Sequence, residues 1–302
     1  MSKLAYSARS ASHQGMGMPS TYNRTIAEPK SVEQFPYGWR YVIETLPNGE
    51  ETYSEVPLTA EDFLDPQLGD QMIQSAKHFR TNIDLFNIFD KCYANDPTVK
   101  VFGDLKMIWG IPGLKEPAPD VAVVPNIKDK DAEPSSFEVL KEGTRPCLII
   151  EIMSPNYPGD DTTKVNVYEQ AGVAEYIIIN PHSDKTRPFY EIFGYRLKNG
   201  KYRAIKPDNK GRLLSQTTGV LFSLHRKKRV LKLFDAHTGK RLLTALETDA
   251  ALSKSEKRTQ DAEKRAQAEA AMRLDAEKQV QAEAVMRQAL EKRIQELESQ
   301  IK

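Results

Sequence analysis

The segment from Cys147 to Asn180 constrains the fold more than any other. Cys147-Leu148-Ile149-Ile150-Glu151-Ile152-Met153 is short and apolar on both alternating faces, the pattern of a strand covered on both sides. A helical stretch follows from about Asp161 to Gln170, with Gly172 placed to take a left-handed cap, and Tyr176 to Asn180 returns to strand composition. Two strands joined by one helix pair in parallel through a right-handed crossover. The expectation is therefore an α/β fold in which helices flank a sheet.

A charge interrupts the first of these strands. Glu151 lies between apolar residues, so its carboxylate has little exposed surface to reach, and a buried carboxylate is costly unless it is paired or holds a cation. Asp120 occupies a comparable place, opening Asp120-Val121-Ala122-Val123-Val124 after Pro119. Alone, Pro119-Asp120 reads as turn chemistry, and Lys164, at the start of the helix, reads as a solvated surface lysine. Together, two acids converging from neighbouring strands make a hard-oxygen site suited to Mg²⁺, and an ammonium beside it can steady a phosphate or an attacking water. This combination suggests metal-assisted phosphodiester hydrolysis.

The order of these blocks resembles the Uma-type restriction endonuclease family, a branch of the PD-(D/E)XK nuclease superfamily. The resemblance is carried by Tyr37-Gly38-Trp39-Arg40-Tyr41, Pro57-Leu58-Thr59, Asp65-Pro66, Gly69-Asp70, Pro119-Asp120, Glu151-Ile152-Met153-Ser154-Pro155, Asp160 with Lys164-Val165, Tyr168, Gly172-Val173-Ala174-Glu175-Tyr176 and Thr238-Gly239. It runs from about Gln34 to Leu243. It implies a restriction-endonuclease-like mixed sheet flanked by helices, with Asp120 and Glu151 as metal ligands, Lys164 assisting hydrolysis, Mg²⁺ or Mn²⁺ as cofactor, and nucleic acid, DNA by preference, as substrate. One position departs from the superfamily pattern. Met153 stands two residues after the second acid, where a lysine is expected, and a thioether cannot stabilise an anion. Lys164 is the natural substitute, since its long stem can reach back to the acids. His78 and Asp104 are weaker candidates: the first stands where the resembled family tends to carry a histidine and so borders the site, or else reads as a core-edge histidine bonded to a backbone carbonyl; the second approaches the acids from the preceding strand, or else reads as a bulge or turn residue.

Composition excludes several other classes. Cys92 and Cys147 form neither a disulfide framework nor a zinc spacing, and the five histidines are scattered without a His-x-x-x-His pair. Ser154 has no histidine base in a recognisable motif, and Pro155 marks a turn. A net charge of +1 provides no global attraction to nucleic acid. The run His225-Arg226-Lys227-Lys228-Arg229 is a local candidate for phosphate contact, though a solvated hairpin end accounts for it equally well. Residues 1–34 lack an apolar core region, so neither a signal peptide nor a membrane span is expected there; a flexible arm and a cytoplasmic location are.

Elsewhere the pattern predicts a hairpin over Gly38–Tyr53 turning at Pro47-Asn48-Gly49, a helix from Asp70 to about Tyr93, a strand from Val99 to Trp109, and antiparallel segments over Phe189–Tyr202 and Val220–Phe234. The last stretch differs in kind. Ala262–Asp275 and Ala276–Ala289 repeat one another over two heptads of helix-forming residues, and Leu290, Ile294, Leu297 and Ile301 follow a coiled-coil seam. The same register also places Glu269, Arg273, Glu283 and Arg287 on the seam, which leaves a solvated single helix as the alternative. The expected organisation is a flexible arm (1–34), a nuclease-like domain (35–247) and a helical coiled-coil tail (248–302) through which the chain forms a homo-oligomer. The competing expectation is a catalytically degenerate nuclease fold serving as a nucleic-acid-binding or assembly module.

Overall fold

The computed structural model describes residues 35–154, 159–181, 191–225 and 230–300. The expected N-terminal arm and the basic run after His225 lie outside the described residues. The described residues open with a hairpin of β1 (Gly38–Thr45) and β2 (Glu51–Pro57), joined through a turn where Asn48 and Gly49 stand, as their turn chemistry requires. A 3-10 turn (Ala60–Leu64) leads to β3 (Gln71–Met72), which pairs with the start of β1 at Gly38 and Trp39. Gly38 has φ +116, and a Cβ there would run into the Gln71 carbonyl, so this closure depends on glycine.

The helix expected from Asp70 begins later, as α1 (Ala76–Cys92). Gln71 and Met72 are taken by the sheet, and Ser75 caps the helix by accepting from the His78 amide. The strand expected over Val99–Trp109 is divided into β4 (Val99–Phe102) and β5 (Met107–Ile108), because Asp104 adopts φ 49 and breaks the ladder after Gly103. β6 (Val121–Pro125), β7 (Phe137–Glu138), the short α2 (Val139–Glu142) and β8 (Leu148–Ile152) follow. Then come α3 (Thr163–Gln170) and β9 (Glu175–Asn180). β8 and β9 pair in parallel, as the strand-helix-strand pattern requires, and Gly172 takes φ +76 behind α3.

β10 (Glu191–Lys198) and β11 (Lys201–Ala204) complete a six-stranded mixed sheet of order β11-β10-β9-β8-β6-β4. A second sheet, β12 (Leu213–Leu214), β13 (Val220–His225), β14 (Val230–Asp235) and β15 (Arg241–Leu242), is antiparallel throughout. One face of the main sheet presents Val121, Leu148, Ile150, Ile152, Ile177 and Ile179 to Leu85 and Phe89 of α1 and to Phe222 of the second sheet. The opposite face presents Ala122, Ile149, Met153, Tyr176 and Ile178 to Val167 and Tyr168 of α3. Side chains of this size contribute roughly 1.5–3 kcal/mol each when fully buried, so the β8–β9 pair, apolar on both faces, anchors the fold. The helix α4 (Ala245–Gln300) ends the described chain, and from Asp249 onward its described side chains are exposed.

Candidate active site

Asp120 directly precedes β6, and Glu151 lies near the end of its antiparallel neighbour β8, where Val121 pairs with Ile150. This register brings both acids to one edge of the sheet. Asp120 Oδ2 accepts from the Ile152 amide at 2.6 Å, next to Glu151, and the two carboxylates line one cavity of about 320 Å³. Strand alternation puts Glu151 and Met153 on the same face, and α3 covers that face. Lys164, on the first turn of α3, therefore approaches the site from opposite the strand: its Nζ lies 3.0 Å from Glu151 Oε1 and 2.9 Å from Asp160 Oδ1. Met153 packs instead with Phe102, Val167 and the rest of the apolar layer. Lys164 is buried, not the solvated helix lysine that its position alone suggested.

His78, a weaker candidate in the sequence, and Asp160 and Tyr168, whose roles the sequence alone leaves open, complete the cluster. His78 Nε2 lies 2.8 Å from Asp120 Oδ1, so its partner is a carboxylate where a backbone carbonyl was expected. Asp160, buried just ahead of α3, pairs with the same ammonium, and the Tyr176 hydroxyl donates to its backbone carbonyl. The Tyr168 hydroxyl donates to Glu151 Oε1 at 2.6 Å. The Asp160 and Lys164 pair follows four-residue spacing, a signal visible in the sequence beside their shared place in the family resemblance. Asp104, whose Oδ2 accepts from Asn82, lines the same cavity.

The charges do not balance. Asp120, Glu151 and Asp160 are buried around one lysine and one histidine. Burial pushes Glu151 up to about 8, with Asp120 and Asp160 adding to the rise and Lys164 opposing it. Burial likewise raises Asp160, and it raises Asp104 to about 6. For Lys164, burial alone would favour the neutral amine, but Asp160, Glu151 and Asp120 outweigh it and hold the ammonium charged. For His78, too, burial is outweighed, chiefly by Asp120, and the pKa rises. Oδ1 of Asp160 is in ion-pair contact with the ammonium without a well-directed hydrogen bond. Among the described residues no three His, Cys, Asp or Glu side chains form a complete metal cage. A hard divalent ion held by one or two carboxylates, with water and substrate oxygens filling its other positions, fits this donor set, and its charge would offset the excess of buried acid.

The fold is a mixed α/β one with an acid-lysine cluster at the edge of its main sheet. The chain belongs to the Uma2 family, described as "putative restriction endonuclease", whose model matches residues 61–227. Among solved structures, a nuclease described as putative and belonging to DUF820, from Anabaena variabilis, is similar at 18% identity with a TM-score of 0.37, over 54% of this chain and 91% of that one. No curated protein matches the chain.

Proposed function

We propose that the protein is a metal-dependent endonuclease hydrolysing phosphodiester bonds, with DNA as substrate and Mg²⁺ or Mn²⁺ as cofactor. The observation that carries this reading is the cluster itself: Glu151 and Asp160 share the Lys164 ammonium, and Asp120 pairs with His78, all beside a cavity open to a ligand. Asp120 and Glu151 would hold the ion, which when bound supplies Lewis-acid polarisation of the phosphate and a more acidic water. Tyr168 orients Glu151 by donating to Oε1, and His78 orients Asp120 through Oδ1. Asp160 keeps the Lys164 ammonium at the cavity, where it is placed to orient the water or to stabilise charge on the phosphate oxygens in the transition state.

The domain that performs this work spans 35–247, and the tail, 248–302, joins two chains through its seam. Among the described residues no helix is long and apolar enough to cross a membrane, and we place the protein's work in the cytoplasm. Met153 favours a second reading, a degenerate nuclease fold that binds nucleic acid without cutting it, because the usual lysine position is taken up by packing. Incubating the full chain with mixed DNA and RNA, with and without Mg²⁺ or Mn²⁺, separates the two. Metal-dependent cleavage of DNA supports the enzyme; binding without cleavage under either metal supports the module.

A further inference from the structure

We propose that the tails of two copies of this chain pack antiparallel in one register, so that the two α/β domains sit at opposite ends of the dimer. The inference rests on the self-association proposed above and adds its direction. Along α4, Leu290, Ile294 and Leu297 follow heptad spacing and are 58%, 55% and 46% exposed. The same register runs back through Arg287, Glu283, Val280, Ala276, Arg273, Glu269, Ala266 and Ala262.

In a parallel, aligned pair each seam residue meets its own copy. Glu269, Arg273, Glu283 and Arg287 would then form like-charge layers in the desolvated seam, where such contacts are costly. Antiparallel packing brings a positions against d positions of the partner. One register, centred at Lys278, sets Arg273 against Glu283, Arg287 against Glu269, Val280 against Ala276, Leu290 against Ala266, and Ile294 against Ala262. Every charged seam residue then meets the opposite charge, and Leu290 and Ile294 meet alanines, which keeps the helices close, while Leu297 meets Thr259. Shifting by one heptad in either direction sets Val280 against Glu269 or Glu283, so this register stands apart.

The flanks favour the other direction: Arg258 can reach Glu263 of a second copy only in parallel packing, and antiparallel packing brings Glu291 towards Glu263, Arg265 towards Arg293 and Glu277 towards its own copy. Those pairs are exposed and screened, worth about 0.2–1 kcal/mol, whereas the seam charges are desolvated and decide the direction. In the single chain Arg273 satisfies itself on Glu269 at 2.7 Å, an exposed pair within one helix that dimerisation would re-form across the seam. At ~1.5 Å per residue, the two Ala245 positions would lie about 100 Å apart. The two sites could not then meet on one scissile position; each would act on its own stretch of nucleic acid.

The test uses the full chain carrying Cys92→Ser, Ala266→Cys and Leu290→Cys, with light scattering before oxidation and peptide mapping of the disulfides after it. The expected result is a dimer in which residue 266 of one chain is joined to residue 290 of the other; within one helix these positions are about 36 Å apart and cannot bridge. A dimer joined 266 to 266 and 290 to 290, or lacking the 266–290 link, overturns the antiparallel register and leaves self-association standing. A monomer overturns self-association as well, while the nuclease reading of the α/β domain is judged separately by cleavage.

Discussion

Glu151 is a buried carboxylate whose charge its surroundings oppose. Its raised pKa means that the folded state binds the proton more tightly than the unfolded chain does. The stability this contributes is complete below the unfolded value of 4.5 and is lost as pH rises through about 8. Glu151→Gln is permanently neutral, so the metal-free variant should be more stable than the parent at pH 9, by about 1–3 kcal/mol, with the difference shrinking towards pH 5. Thermal denaturation at the two pH values checks this, and a variant less stable at pH 9 would refute the electrostatic account. Lys164→Ala acts in the opposite sense, because it leaves Glu151 and Asp160 without their shared cation. It should abolish cleavage and destabilise the metal-free protein by about 3–5 kcal/mol near pH 8, less where the acids can protonate. A denaturant titration showing a loss of only a few tenths would mean that the ammonium is solvated.

At the scale of elements, the strand-helix-strand unit was legible because its signals agree: an apolar run without room for a helix, helical spacing, a glycine cap and a second apolar run. The approach of Asp120 to Glu151 was anticipated from two strand edges and the family resemblance. The contacts of His78 and Asp160 were not: His78 stood only as a weaker candidate and Asp160 only within the resemblance, since each contact depends on how α1 and the turn before α3 pack over opposite faces of the sheet. The break at Asp104 was equally hidden, because the residues on both sides keep a strand-like composition. A second buried acid shows how elements are tied together. Glu175, at the start of β9, accepts from Arg196 on β10, from the Ser215 and Thr217 hydroxyls, and from the Gln216 and Thr217 amides. These donors hold its pKa below the usual value against the cost of burial. Glu175→Ala strands them all and should cost about 3–5 kcal/mol by denaturant titration while leaving the Mn²⁺ affinity of the folded fraction unchanged. Loss of Mn²⁺ binding in step with the mutation would instead place Glu175 in the metal site.

At the scale of the molecule, α4 is physically separate from the site it accompanies. Its first turn is fastened by Glu247, which bonds Arg241 and the Thr244 amide, and beyond Asp249 its described residues make no buried contact with the α/β domain. Truncation after Leu252 should therefore convert a dimer to a monomer in light scattering while shifting the melting temperature of the α/β domain by no more than a few degrees, as the lost surface is already solvated. Equal subunit numbers in the two forms would remove self-association from the tail. The central claim is that Asp120, Glu151 and Lys164 cut nucleic acid with the help of a divalent ion. Glu151→Gln offers the cleanest separation of chemistry from folding, because the account predicts an intact fold. The direct measurement is the single-turnover cleavage rate of DNA by parent and variant as Mg²⁺ is titrated. We predict cleavage by the parent that rises with Mg²⁺ and is absent without it, and a variant slower by at least about 100-fold. A variant that cuts as fast as the parent, or a parent inert under both Mg²⁺ and Mn²⁺, would contradict the claim.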